Sequence, residues 1–207
     1  MKIGIYGGTF NPIHRGHLTA ARAAMDVLGL DRLLLIPASV PPHKALPQGS
    51  ADAADRLEMA ALACAELGPQ AQALDTELHR TGPSYTVDTL RQLRMEHPED
   101  ELWLLMGTDM FLSLERWYHA SDILSLAHIG AFDRAHPQPG EDLAAQKRLL
   151  LAFHGAEHRN GVKHVRGVAG GNVGSAGKAC ANAEEHGVKA AFLHFGGQIG
   201  HLAGELE

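Results

Sequence analysis

Short apolar runs alternate along the first 150 residues with longer segments in which apolar residues recur every three or four positions. Continuous apolar runs are typical of strands buried on both faces, and the longer period is typical of helices that pack on them. The pattern predicts strands at 2–6, 32–37, 71–78, 101–106 and 128–132. It predicts helices at 16–30, 51–67, 85–97, 109–116 and 142–153, and Gly29 is a stop signal for the first of them.

This alternation predicts an α/β fold with a parallel sheet, because strands that follow one another through helices run in the same direction. Ligands of such sheets bind at the carboxyl ends of the strands, near the point where the strand order reverses. We therefore expect the chemistry in the loops that follow Tyr6, Ile36 and Met106.

The composition is that of an ordinary globular protein and excludes several classes. Of 207 residues, 45% are hydrophobic and 20% charged, which argues against a disordered chain, a collagen-like chain or a coiled coil. No apolar run approaches the roughly 18 residues that cross a bilayer, and no signal-peptide pattern opens the chain. Two cysteines cannot form a disulfide framework, so we expect a reducing cytoplasm. The net charge of −6 argues against non-specific binding to nucleic acid.

The last quarter of the chain has a composition of its own. Residues 153–207 hold 12 of the 23 glycines and 6 of the 14 histidines, and they contain no Pro, Trp, Tyr, Thr or Asp. We therefore expect one domain over 1–152, followed by an atypical glycine- and histidine-rich segment over 153–207. Within this segment we expect a helix at 175–186 and a strand at 188–195.

A glycine-rich turn follows the first predicted strand and leads into the first predicted helix. Gly7 and Gly8 let backbone N–H groups approach a ligand without obstruction from a Cβ atom. A helix that starts near Gly16 offers free N–H donors and the positive end of its dipole, which together favour an anion. His14 and His17 lie one helical turn apart, so both can face that anion and donate hydrogen bonds to phosphate oxygens.

Three alternatives compete with a phosphate site. A dinucleotide-binding loop lacks the G-x-G-x-x-G spacing and an acidic residue at the end of the second strand. A metal site at His14 and His17 lacks the intervening glutamate of the H-E-x-x-H motif and an obvious third ligand. Two purely structural histidines are disfavoured by the glycines, the strand before them and the helix after them.

The segment GGTFNPIHRGHL at 7–18 resembles the signature loop of the HxGH nucleotidyltransferase superfamily, in particular that of the bacterial nicotinate-nucleotide adenylyltransferases. Three further motifs follow in the same order as in that family and extend the resemblance to residues 1–150. They are Ile36-Pro37 with Pro41-Pro42-His43-Lys44, the segment SYTVDTL at 84–90, and Gly107-Thr108-Asp109-Met110 with Trp117-Tyr118.

The resemblance implies a Rossmann-like parallel sheet with helices on both faces, and adenylyl transfer from ATP to nicotinate mononucleotide in NAD biosynthesis. It implies Mg²⁺ bound with ATP and no metal site of the protein's own. The implied catalytic residues are His14, His17 and Lys44. The implied ATP-binding residues are Gly7, Gly8, Thr9, Phe10, Gly16, Gly107 and Asp109. The implied mononucleotide-binding residues are Thr86, Trp117, Tyr118 and Arg134.

Several of these residues also have a structural interpretation. Lys44 has the alternative of a solvated lysine in a loop, and Asp109 that of a helix N-cap. Trp117 suits a flat pyridinium ring by stacking, but a packing role is equally compatible with the sequence. Trp103 lies inside a predicted strand, where we expect it in the core.

The resemblance stops near residue 150. Relatives usually end with a strand followed by an I-S-S-T-x-[IV]-R segment that contacts the ATP phosphates, and we find no counterpart here; Ser175 is the only serine after residue 150. Three interpretations of residues 153–207 compete: a late shift of reading frame, a replacement that binds phosphate through its glycines, and a weakly ordered appendage.

The main prediction is a nicotinate-nucleotide adenylyltransferase whose partners are ATP and nicotinate mononucleotide, without nucleic acid or membrane, and compatible with a homo-oligomer. The alternatives are the same reaction on nicotinamide mononucleotide or phosphopantetheine. A third alternative is a catalytically impaired nucleotide-binding module that lacks the C-terminal phosphate contacts.

Overall fold

One parallel sheet organises the part of the chain that the computed structural model describes, which is residues 1–42, 46–132 and 190–193. Its strands are β1 (Lys2–Gly8), β2 (Arg32–Pro37), β3 (Ala71–Ala73), β4 (Glu101–Gly107), β5 (His128–Phe132) and β6 (Ala190–Leu193), in the order β3-β2-β1-β4-β5-β6. The helices are α1 (Arg15–Leu28), α2 (Ala53–Leu67), α3 (Thr86–Glu96), α4 (Thr108–Ser113) and α5 (Ala120–Leu126). All strand pairs are parallel, as the alternating sequence pattern predicts.

Helices cover both faces of the sheet, because every central strand is apolar on both sides. Ile5 lies in register with Leu34 on one neighbour and Leu104 on the other, and this layer packs against α3 and α5. The alternate residues, among them Leu35 and Leu105, pack against α1 and α2. The two-sided α/β architecture that the sequence and the resemblance imply is therefore confirmed.

The strand order reverses beside β1. The chain moves outward from β1 through β2 to β3, and then crosses back to place β4 on the other side of β1. The loops that leave β1 and β4 are consequently neighbours at the carboxyl edge, at the position where open α/β sheets bind ligands. This is the arrangement expected for the loops after Tyr6 and Met106.

The ends of two helices follow from identifiable residues. Gly29 adopts a left-handed conformation with φ +61°, and its N–H donates to the carbonyl of Met25, so α1 ends where the sequence predicts a stop. Asp52 begins α2, because its carboxylate accepts the N–H of Asp55 at 2.8 Å.

Some predicted boundaries differ from the structure. β3 has only three residues rather than eight, because the chain turns where the N–H of Leu78 donates to the carbonyl of Asp75. β1 continues past Tyr6 through Gly7 and Gly8, which pair with Ile36 and Pro37. The helix expected at 109–116 is divided into α4 and a 3₁₀ turn, Leu114–Arg116.

The remaining predictions concern Trp103 and the tail. Trp103 is buried in β4, as expected. β6 falls inside the strand expected at 188–195, whereas the helices expected at 142–153 and 175–186 lie outside the described residues. The domain boundary at 152 stays a prediction. In the described residues, no helix combines the length and apolarity needed to cross a membrane.

A glycine in β1 allows close packing on the face covered by α1 and α2. A Cβ atom at Gly4 would lie 2.5 Å from Leu30 Cδ1, 3.0 Å from Leu33 Cδ1 and 3.3 Å from Leu105 Cδ1. Gly7, in the same strand, has open space in the corresponding direction.

Replacing Gly4 with valine should therefore overpack the core and lower the free energy of unfolding by about 1–3 kcal/mol. Gly7→Val is the matched control, because it places the same side chain in the same strand without a clash. Urea denaturation of both variants measures the difference. Equal losses of stability in the two variants would contradict this account of the packing.

Candidate active site

In the turn after β1, the Phe10 ring packs against Tyr6 and His17. Phe10 has a left-handed backbone with φ +46° and is buried, and its ring lies edge-on to Tyr6 at 5.6 Å and to His17 at 5.3 Å between centroids. A Cβ atom at Gly8 would lie 3.0 Å from the Phe10 ring. A glycine at this position therefore lets the aromatic ring fold back onto the end of the strand.

His14 and His17 lie together at the start of α1. His14 is the residue that precedes the first turn, and the two imidazole centroids are 3.9 Å apart. The backbone N–H of His14 donates to Nδ1 of His17 at 3.2 Å. A Cβ atom at Gly16 would lie 3.1 Å from Cε1 of His14, so the glycine leaves room for that ring.

The environment of His17 determines its protonation state. Burial, followed by the nearby charge of His14, lowers the pKa of His17 from 6.5 to about 4. The imidazole is therefore neutral at pH 7, and its Nδ1 lone pair accepts the His14 N–H. The single ring proton must then reside on Nε2, which makes His17 a hydrogen-bond donor rather than a base.

A buried arginine that the sequence analysis did not single out supports this turn. Arg56, in α2, is 1% exposed, and its Nη1 donates to the carbonyls of Thr9 at 2.8 Å and Ala38 at 2.6 Å. Its other nitrogens donate to the carbonyls of Ser39 at 3.2 Å and Ala51 at 3.3 Å. One guanidinium thus joins the loop after β1 to the loop after β2.

The end of β4 brings Asp109 to the same edge. Thr108 Oγ1 donates to the carbonyl of Phe132 at 2.6 Å, which anchors this turn to the end of β5. Burial raises the pKa of Tyr6, and the negative charge of Asp109 raises it further, so the carboxylate lies close to the end of β1. Gly107, not Asp109, is the residue that caps α4, and the N-cap interpretation of Asp109 is wrong.

Aromatic residues gather at the start of α3. Thr86 is its first residue, and the preceding Tyr85 stacks on Tyr118 with centroids 4.5 Å apart and planes tilted by 34°. Tyr118 is 51% exposed. Trp117 is half-buried against the α3 face of the core, and its Nε1 donates to Ser113 Oγ at 3.3 Å. The structure therefore brings Tyr118 to the residue that precedes Thr86, and Tyr85 is a contact that the sequence analysis missed.

Comparison with known proteins identifies the family of this chain. The cytidylyltransferase-like family model matches residues 5–163. A protein of Shewanella baltica named "Probable nicotinate-nucleotide adenylyltransferase" is 44% identical over 79% of this chain and 73% of its own length. A protein of Geobacter metallireducens with the same name is 42% identical over 77% of this chain and 74% of its own length.

The chain belongs to the nicotinate-nucleotide adenylyltransferase family. The solved structure of the Plasmodium falciparum nicotinic acid mononucleotide adenylyltransferase complexed with APC superposes with a TM-score of 0.57. It is 17% identical and covers 70% of each chain, and at this identity the likeness establishes the Rossmann-like fold.

Most of the residues implied by the family resemblance lie at one edge of the sheet. His14, His17 and the glycine-rich turn flank the end of β1, and Asp109 follows the neighbouring β4. Lys44 and Arg134 lie outside the described residues, so their roles stay predictions. Within the described ranges, no three His, Cys, Asp or Glu side chains converge to hold a metal ion.

Titration of His17 tests the protonation state that its burial and its contact with His14 predict. By NMR, the His17 imidazole should titrate near pH 4 and show the Nε2–H tautomer at pH 7. His14→Asn should raise the pKa of His17, because a neighbouring positive charge is removed, but should leave it below 6.5, because burial remains. A wild-type midpoint near 6.5 would contradict the assignment.

Replacement of Arg56 tests the connection between the two loops. Arg56→Met should lower the free energy of unfolding by roughly 2–4 kcal/mol, since four carbonyls lose a charged donor. Arg22→Met is the control, because Arg22 is exposed and contacts Glu66 on the surface, where a loss within about 0.5 kcal/mol is expected. Comparable losses of stability in urea would contradict this role.

Proposed function

We propose that this chain transfers the adenylyl group of ATP to nicotinate mononucleotide, giving nicotinate adenine dinucleotide and pyrophosphate. A phosphate oxygen of the mononucleotide attacks the α-phosphorus of ATP, and the bond from that phosphorus to the bridging oxygen of pyrophosphate breaks. The attacking phosphate has a second pKa near 6 and is largely dianionic at neutral pH, so no protein base is needed.

The observation that carries this proposal is the placement of His17 at the N-terminus of α1, with its Nδ1 accepting the His14 N–H so that Nε2 is left as the donor. Negative charge builds on the α-phosphate and on the departing pyrophosphate as the bond breaks. A donor that is already oriented stabilises this charge without reorganisation. The first N–H groups of α1 have no acceptor within the helix and add to the same positive field.

The two substrates occupy the two sides of the sheet edge. ATP lies along Gly7, Gly8, Thr9, Phe10 and Gly16, and Gly107 and Asp109 contact its nucleoside, with the carboxylate of Asp109 accepting from sugar hydroxyls. The mononucleotide lies toward Thr86, Trp117 and Tyr118, which supply an aromatic face for the pyridinium and donors for its carboxylate. Lys44 and Arg134 contact phosphates, as the family resemblance implies.

The divalent cation that nucleotidyltransferases use enters with the triphosphate. We propose Mg²⁺, which keeps several of its waters and binds chiefly to phosphate oxygens in such sites. Within the described residues no three His, Cys, Asp or Glu side chains converge, so we propose that the phosphate oxygens are its main ligands. The cation neutralises charge on the triphosphate. We also propose a cytoplasmic location, since two cysteines are too few for a disulfide framework.

The proposal predicts pyrophosphate release from ATP and nicotinate mononucleotide. Parallel reactions with nicotinamide mononucleotide and phosphopantetheine test the alternative substrates. The absence of a recognisable I-S-S-T-x-[IV]-R segment favours one further candidate, a nucleotide-binding module without turnover. Binding of ATP without pyrophosphate release would support that module and overturn the proposed function.

His17→Ala should lower kcat by about 100-fold or more with little change in the KM for ATP, since the lost donor acts mainly on the transition state. His79→Ala is the control, because His79 is exposed and pairs with Asp75 in the segment between β3 and α3. A near-normal kcat for His17→Ala would remove His17 from the mechanism.

A further inference from the structure

A buried carboxylate lies behind the start of α3, away from the residues that the proposed reaction uses. Glu77, in the segment between β3 and α3, is 6% exposed. Its Oε1 accepts the hydroxyl proton of Thr89 at 2.7 Å, and the Ser84 hydroxyl lies near enough to lower the pKa of the carboxyl group. Burial raises the pKa of Glu77, while these hydrogen bonds and the charge of Arg80 oppose that rise.

The hydroxyl of Ser84 has no spare hydrogen-bonding capacity. Its oxygen accepts the backbone N–H groups of Ser39 at 3.0 Å and Val40 at 3.4 Å. A hydroxyl has one proton and two lone pairs, so with both lone pairs engaged the proton is left to point toward the nearby Glu77 carboxylate. The Ser84 N–H also donates to the carbonyl of Val40 at 2.9 Å. Glu77 thereby orients the hydroxyl that attaches the loop after β2 to the start of α3.

This attachment lies next to the residues proposed to bind the mononucleotide. Ser84 is followed at once by Tyr85, which stacks on Tyr118, and by Thr86, the first residue of α3. By contrast, the turn proposed to bind ATP is held by Arg56 through the carbonyl of Thr9. The two halves of the site therefore have different buried supports.

We propose that Glu77 is a positioning residue for the mononucleotide half of the site. It acts through Ser84, which holds the first turn of α3 and the loop after β2 in the arrangement that receives this substrate. Glu77 itself does not touch substrate. The inference rests on the proposed function for the identity of the ligand, but its physical content is a selective effect on one of two binding sites.

Glu77→Gln tests this role with almost no change in side-chain volume. An amide NH₂ replaces one carboxylate oxygen and presents a donor to a hydroxyl that must itself donate, while the remaining oxygen still accepts from the other hydroxyl. We expect the Kd for nicotinate mononucleotide, measured by calorimetry, to rise about tenfold, since a buried hydrogen-bond network is left unsatisfied. The Kd for ATP should change less than about twofold, because the Arg56 contacts remain.

Asp75→Asn is the matched control, because it makes the same chemical change two residues earlier, at an exposed carboxylate that pairs with His79. It should alter neither dissociation constant. Ser84→Ala, which leaves Glu77 in place, should reproduce the selective loss and replaces Glu77→Gln if that variant does not fold. In steady-state kinetics, the KM for the mononucleotide should rise in the same proportion. Because KM does not depend on the fraction of protein that is active, partial unfolding of a variant would not produce this change.

The outcomes separate this inference from the proposed function. Equal losses for both ligands, or no loss for either in Glu77→Gln and Ser84→Ala, would overturn the positioning role, since a general structural defect has no reason to distinguish them. Wild-type protein that binds the mononucleotide but releases no pyrophosphate would overturn the proposed reaction alone. Wild-type protein that binds no mononucleotide would overturn both.

Discussion

The carboxyl edge of the sheet depends on one buried cation. The guanidinium of Arg56 hydrogen-bonds four backbone carbonyls from the loops after β1 and β2 and from the approach to α2. These loops contain little regular structure, so their carbonyls need partners that the sheet does not provide. Arginine suits this task because its planar donors point in several directions at once and its charge is retained when it is buried. The turn that bears His14 and His17 therefore has a defined position before any nucleotide binds.

Burial then gives His17 its chemical character. Tyr6 and Phe10 surround the imidazole, and His14 adds a positive neighbour, so the protonated form is disfavoured. The His14 N–H contact decides which ring nitrogen holds the proton. A neutral donor of this kind suits a reaction in which negative charge moves between phosphates, since His17 keeps the same protonation state throughout the neutral pH range. The same residues that pack the turn thus select the tautomer.

Sequence patterns predict the strands well because β1, β2, β4 and β5 are short apolar runs buried on both faces. The turn that precedes the two histidines could also be predicted, since its glycines, the histidines and the start of a helix are close together in the sequence. Arg56 and Glu77 escape such reasoning, because each is a charged residue in a segment that otherwise resembles a solvated surface. Only tertiary contacts with carbonyls and hydroxyls far along the chain explain their burial. β3 was predicted, but its length was overestimated for a similar reason, since a turn at Asp75 follows the strand where the prediction continues to residue 78.

Two buried side chains hold the loop after β2, one by donating to its carbonyls and the other by accepting from its N–H groups. Arg56 binds the carbonyls of Ala38 and Ser39, while the Ser84 hydroxyl, oriented by Glu77, binds the N–H groups of Ser39 and Val40. The N–H of Ala38 donates in addition to the carbonyl of Gly8. The loop is therefore attached to α2 through Arg56 and to the start of α3 through Ser84 and Glu77. The carbonyl contacts join this loop to the turn after β1 through Arg56, and the N–H contacts join it to the start of α3 through Ser84. Each support therefore acts mainly on a different half of the proposed site.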